Sequence, residues 1–368
     1  MAHCIIIGAD VHVKSILVKA AADRDEPVQR SFRNTVSGRT ALLGWLACWS
    51  ERLGGARVLV VYETSSLGYV LYDEVMAAGF ECMVVATSRL ARSWRHRRNK
   101  TDERDAQLLL ELGRSHVLAG NPLPAVWVPD PELRDHRELT RARTDLANKI
   151  TRVKAQVKSL LHRYGLERPA GTGKGWTKGF AAWLDGLAEG PTLGWGARVA
   201  LCTLLAQLGS LVKEAAYVDD HLVALSAHPR HAAAVEAMDA GYKGVGLKVA
   251  LTVLTELGDL WRFPNRRSLA SYAGLAPSSH ESGEANDRKG HITHQGPSRL
   301  RRALCQAVQH WVRWDPEAKA RYRRLVARGG RRAKKIAKVA MMRRLLIRLW
   351  HTARKAQAAA RTAQDRCE

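Results

Sequence analysis

Acidic residues are missing where bases crowd: between Glu317 and Asp365 the chain has none, against sixteen Lys and Arg. The six cysteines (Cys4, Cys48, Cys82, Cys202, Cys305, Cys367) are scattered, without a CxxC pair or a zinc-type spacing. That argues against a disulfide framework and for a reduced interior with small apolar thiols. A signal-peptide layout is absent, because the first apolar run is short and Asp10 follows at once. No apolar stretch approaches the roughly eighteen residues of a membrane span. The best candidate, 200–212, is broken by Gln207, Gly209 and Ser210. The expectation is a cytoplasmic protein with no membrane partner.

What is present is positive charge. The chain of 368 residues has a formal net charge of +24 and 46% apolar residues. It is long enough for two or three domains, and its apolar content is that of a globular protein. The basic excess points to a polyanionic partner. Membrane surface is the weaker rival, since the charge is spread over several segments.

Periodicity divides the chain. Residues 4–11 read as a strand, 15–21 as its hairpin partner and 27–33 as a third strand. A helix follows over 38–53, then a strand at 57–63, a helix at 67–78 and a strand at 80–86. A basic loop, 89–100, leads into a helix from 102 to about 116, with Thr101 as N-cap. A hairpin meander followed by βα units predicts a mixed sheet with helices packed on it. After the proline-rich break at 121–131, apolar residues from Leu139 to Tyr164 recur at near-heptad spacing. Residues 166–195, rich in Gly and Trp, read as irregular. A second long helix spans about 197–226. The pair forms a helical hairpin, either packed within the molecule or dimerising as a coiled coil. From about 232 the chain is helical and basic. The predicted fold class is thus α/β plus α, with domains at 1–125, 126–231 and 232–368.

Asp10 and Glu63 each end an apolar strand-like run, and Asp102 and Asp105 lie three apart at the start of a helix. Residues at i and i+3 share a helix face, and clustered carboxylates suit Mg²⁺ or Mn²⁺. Each acid alone is equally at home at a strand end or in a first helical turn, where it favours the helix dipole. Together they form a candidate metal set. A pair of divalent ions relieves the mutual repulsion of four carboxylates and can activate both attacking and leaving oxygens of a phosphodiester. Gly244-Val245-Gly246 before a helix suits either a phosphate-contacting turn or a plain interhelical one. Ser282 precedes a glycine in a polar loop between His280 and Lys289; sequence alone does not show that it is a nucleophile. His291 and His294 have HxxH spacing without a further ligand signature. Gly171-Thr172-Gly173-Lys174 fails as a P-loop, because Arg168 replaces the first glycine and Gly175 follows the lysine. The segments 89–100 and 319–355 suit phosphate neutralisation. Candidate contacts there, around the glycine turn and over 289–302 are Arg95, Arg97, Arg98, Lys100, Lys243, Gly244, Gly246, Lys289, Arg299, Arg301, Arg302, Arg331, Arg332, Lys334 and Lys335.

These motifs together resemble the DEDD transposases of bacterial insertion sequences, the family called "IS-one-ten", related to Piv-type DNA invertases. The matching residues are Gly8-Ala9-Asp10, Tyr62-Glu63-Thr64, Lys100 to Ala106, Gly244-Val245-Gly246, Tyr272 to Pro277, Glu281-Ser282-Gly283 and Gly296 to Leu304. Lys243 departs from the proline usual before the glycine turn. The resemblance implies an RNase H-like (RuvC-like) N-terminal domain with two Mg²⁺ or Mn²⁺ ions on Asp10, Glu63, Asp102 and Asp105. It implies a coiled-coil hairpin and a C-terminal transposase domain whose Ser282 forms a phosphoserine link to DNA. The implied partners are double-stranded donor and target DNA, a structured guide RNA encoded by the element, and further copies of the chain in a dimer or tetramer. A hydrolytic junction-resolvase-type nuclease and a non-catalytic nucleic-acid-binding regulator are the alternatives.

Overall fold

A computed structural model describes residues 3–86, 101–280, 288–330 and 332–364. The chain divides into two compact units, Met1–Val128 and Pro129–Glu368.

In the first unit, strands β1 (Cys4–Val11), β2 (Ser15–Ala22), β3 (Val28–Arg33), β4 (Arg57–Glu63) and β5 (Glu81–Val85) form one sheet in the order β3-β2-β1-β4-β5. The first three strands are antiparallel neighbours, while β1–β4 and β4–β5 are parallel. Side chains alternate across a strand, so β1 is apolar on both faces. Ile5, Ile7 and Ala9 pack with Leu42 and Leu46 of α1 (Val36–Arg52) and with Leu71 and Val75 of α2 (Val70–Ala77). Cys4 and Ile6 face the other way, onto Leu109 and Leu110 of α3 (Asp102–Ala119).

Two glycines let α3 lie close to the sheet. A β-carbon on Gly8 would meet the Ala106 carbonyl oxygen at 2.1 Å and the Leu110 nitrogen at 2.3 Å. One on Gly113 would meet Ile6 Cγ2 at 2.6 Å. Thr101 caps α3 as expected, its hydroxyl accepting from the Arg104 N–H at 3.4 Å.

In the second unit, α4 (Pro131–Arg163) starts at the N-cap Asp130 and packs antiparallel against α6 (Trp195–Ser226). Between them the segment read as irregular holds a helix, α5 (Lys178–Glu189). Its Phe180, Leu184 and Leu187 form one apolar stripe over Val157, Leu160, Leu161 and Leu201. The surrounding glycines and tryptophans hid that stripe. The helix α6 is apolar and long enough, by length and composition, to cross a membrane, unlike the broken run read from the sequence. It contributes Leu201, Leu222 and Leu225 to the interior and keeps Val199, Val212, Tyr217 and Val223 exposed.

The remaining helices are α7 (Ala232–Gly241), α8 (Leu247–Leu257), α9 (Arg266–Tyr272), α10 (Ser298–Trp314), α11 (Pro316–Ala327) and α12 (Ala333–Gln364). They share one core that includes Leu222 and Leu225 of α6, so the expected boundary at 231/232 falls inside this unit. Polar locks tie the layers together. Glu256, 3% exposed, accepts from Arg141 Nε at 3.0 Å. Asp219 accepts from Arg143 Nε and Lys248 Nζ, each at 2.6 Å. Strands β6 (Pro277–His280) and β7 (Arg288–Ile292) pair antiparallel, where the sequence suggested a polar loop.

Candidate metal centre and nucleic-acid contacts

The site grows from the centre of the sheet. Ala9 pairs with Tyr62 across the parallel β1–β4 ladder, so the next residues, Asp10 and Glu63, leave the same end of adjacent strands. α3 crosses this face and brings its first turn to that end. Asp102 and Asp105 lie there, Asp105 buried and Asp102 more open. Glu103, between them, points elsewhere and accepts from Gln29 Nε2 at 3.0 Å.

Asp10 and Asp102 meet at a residue the sequence reading did not select. His12 Nε2 lies 3.1 Å from Asp10 Oδ2 and 3.3 Å from Asp102 Oδ1. Side-chain atoms of Asp10, His12 and Asp102 all fall within 4.8 Å of one another, a spacing that can hold a metal ion. The signal was there: His12 follows Asp10 by two positions, which places both on one side of an extended chain. Burial pushes the Asp10 carboxyl above the ordinary aspartate range; His12 opposes that rise, and the charges of Asp102 and Asp105 add to it. A carboxylate held in this way favours a neutralising cation. Oxygen-rich surroundings with one imidazole fit a hard or borderline divalent ion.

The other candidates are placed unevenly. Ser282, Arg95, Arg97, Arg98, Lys100 and Arg331 lie outside the described residues, and of Lys289 only the strand position is described. Lys243, Lys334 and Lys335 are exposed. Arg332 is exposed and its Nη1 stands 3.3 Å from His291 Nε2. Arg299 pairs with Asp145 at 2.9 Å, and Arg301 Nη1 donates to the carbonyls of Ala273, Gln295 and Gly296. These two guanidiniums therefore have structural partners. Arg302 lines a cleft of about 260 Å³ together with Arg143, Lys248 and Arg299. Gly244 has φ +91°, and a β-carbon there would meet His310 Cβ at 2.4 Å. Packing on α10 alone accounts for that glycine. Gly246 is the N-cap of α8 without a side-chain cap.

A mixed sheet in this order, with acids at the end of its central strand and on the helix crossing it, defines an RNase H-like enzyme of the DEDD class. Residues 7–166 match a transposase family profile of the DEDD, IS110 type. Residues 240–323 match the profile described as "Transposase IS116/IS110/IS902 family". The y4qE protein of Sinorhizobium fredii, which carries a transposase name, is 30% identical over 326 residues, 82% of this chain and 76% of that protein. A 43.6 kDa protein of insertion element IS110 in Streptomyces coelicolor is 34% identical over 100 residues, 27% of this chain and 24% of its own length. The pilin gene-inverting protein of Moraxella bovis is 34% identical over 105 residues, 28% of this chain and 32% of that one. The chain belongs to the IS110-type transposase family and is a DNA recombinase of that class.

Proposed function

We propose that this recombinase moves its own mobile element through a divalent-metal site and a serine nucleophile. Asp10, Glu63, Asp102 and Asp105 would hold two Mg²⁺ or Mn²⁺ ions, with His12 beside them. Bound there, the ions supply Lewis-acid stabilisation of the phosphate and of the oxygens entering and leaving it. The observation that carries this reading is the meeting of Asp10 and Asp102 within 3.3 Å of one imidazole nitrogen at the sheet's end. His12 stands between the two carboxylates, and a cation held at the same end would offset the repulsion between them.

Ser282 is the proposed nucleophile. Its Oγ attacks phosphorus, one P–O ester bond of the DNA breaks, and the departing oxygen takes up a proton as a free hydroxyl. The phosphoserine ester conserves the bond energy, so another DNA hydroxyl can displace serine and reseal the strand without ATP. Donor and target duplexes are the substrates. An element-encoded structured RNA would choose sequences by base pairing, leaving the protein to grip backbones. Among the candidate contacts, Lys243, Arg332, Lys334 and Lys335 are exposed and Arg302 lines a cleft, which supports their part in that grip. Recombination holds two duplexes at once, so the working state is a dimer or tetramer. The exposed Val199, Val212, Tyr217 and Val223 of α6 support contacts between copies.

The test is to incubate the protein with element-end DNA and Mg²⁺, quench, and sequence the DNA-linked peptide. The reading expects a phosphodiester on Ser282 and no linkage in Ser282→Ala. Full-rate cutting by Ser282→Ala would instead make the enzyme a hydrolytic nuclease. Copurified RNA mapping to the element's noncoding flank is the expected result for the guide; its absence from an active complex would remove the RNA from the mechanism.

A further inference from the structure

A second group of metal-capable side chains stands at the base of the α4–α6 pair, inside the second unit. Glu132 and His136 are four apart at the start of α4, which puts them on one helix face. His228 comes from the turn after α6. Ligand-capable atoms of Glu132, His136 and His228 all lie within 4.8 Å of one another. Two imidazoles and one carboxylate are a donor set suited to Zn²⁺, with a fourth position left for water.

The surroundings prepare these three side chains. Arg230 Nη1 holds Glu132 Oε2 at 2.7 Å, and Asp130 takes both guanidinium nitrogens at 2.9 and 2.6 Å. Asp130 thus offsets the arginine's charge, and Glu132 Oε1 turns to His228 Nε2 at 3.5 Å. His136 Nδ1 stands 3.0 Å from Nε2 of His231. His231 is 2% exposed, and its other nitrogen, Nδ1, is buried without a hydrogen-bond partner. Burying an imidazole at the cost of an orphaned nitrogen is explained if the ring serves to orient its neighbour. A histidine ligand usually has its second ring nitrogen fixed by such a partner. The backbone N–H of Arg230 lies 3.3 Å from His228 Nδ1; ligation through Nε2 shifts the ring proton to Nδ1 and gives up that long contact.

We propose that Glu132, His136 and His228 bind one Zn²⁺-class transition-metal ion, with His231 as positioning residue, clamping the start of α4 to the end of α6. This site is separate from the acidic residues of the sheet and independent of how they act.

Zn²⁺ titration of the chelator-treated full chain by calorimetry, with thermal unfolding in parallel, tests it. Asp10→Asn in the same series separates this ion from any bound at the sheet. Zinc should raise Tm, and His228→Ala and Glu132→Gln should each lose one equivalent of zinc and that rise. Asp10→Asn should keep both. His231→Gln should weaken the binding by about tenfold. Co²⁺ should give the visible absorption of a four-coordinate nitrogen–oxygen site in wild type and not in His228→Ala. Circular dichroism without metal identifies a variant that fails to fold, and Glu132→Gln, near-isosteric and half exposed, stands in for it. Equal zinc stoichiometry and equal Tm rise in wild type, His228→Ala and Glu132→Gln would overturn the proposal.

Discussion

Gly8 lies so tightly under Ala106 that a β-carbon on the glycine would stand 2.1 Å from the alanine's carbonyl oxygen. This approach seats α3 on the central strand two residues before Asp10. Gly8→Ala should therefore push the helix off the sheet. We expect a loss of about 1–3 kcal/mol of stability, the range for overpacking a tight contact. DNA cleavage should fall even under conditions where the variant remains folded. Chemical denaturation and a cleavage assay on the same preparation check both, and wild-type behaviour in each would remove Gly8 from the positioning of the site.

Asp102 is more open than Asp10, with 58% of its side chain exposed. Its replacement by asparagine should hardly disturb folding, yet it removes a negative charge that faces Asp10. The Mg²⁺-supported cleavage rate of Asp102→Asn should drop by at least about a hundredfold, on the order of 2.7 kcal/mol in the barrier. Binding to element-end DNA, followed by gel shift, should persist. A cleavage rate within a factor of two of wild type would take Asp102 out of the metal set.

Asp219 joins three helices through Arg143 of α4 and Lys248 of α8. Burial raises its carboxyl, but the hydrogen bonds from Arg143 and Lys248 outweigh this and hold it below the usual aspartate range. A depressed carboxylate contributes stability above its unfolded value, near pH 3.9, and loses it as pH falls through the lower folded value. Asp219→Asn should thus be less stable than wild type at neutral pH by about 1 kcal/mol. The gap should close as pH falls below about 4. Urea melts at a series of pH values measure it, and a gap independent of pH would show that charge is not the cause.

Glu256 is almost fully buried and depends on Arg141 for its compensation. Arg141→Met leaves the carboxylate without its guanidinium and should cost about 3 kcal/mol. Adding Glu256→Gln should restore much of that loss, because the uncompensated charge goes with it. A double variant as unstable as Arg141→Met would show that packing, not charge, explains the effect.

Much of the first unit could be read directly. The strands at 4–11 and 57–63 match, and the Thr101-capped helix starts where expected and runs on to Ala119, because their periodicity and caps are local. The helix at 178–189 escaped, since its three buried side chains are diluted by the glycines in and around it. His12 escaped because it sits just past a strand and only gains meaning when Asp102 arrives from ninety residues away. Arg299 and Arg301 are candidate phosphate contacts in the sequence; what only the fold shows is that they also hold a carboxylate and three carbonyls.

By itself the sequence determined the type of each long element, the basic surplus and the candidate acids, all of which depend on near neighbours along the chain or on simple totals. Tertiary structure alone decided which side chains meet. That the parallel register sets Asp10 beside Glu63, and that Gly8 admits α3 to bring Asp102 onto His12, follows from packing between distant segments. The same holds for Glu132, His136 and His228, drawn together by two helices whose contact no local pattern encodes.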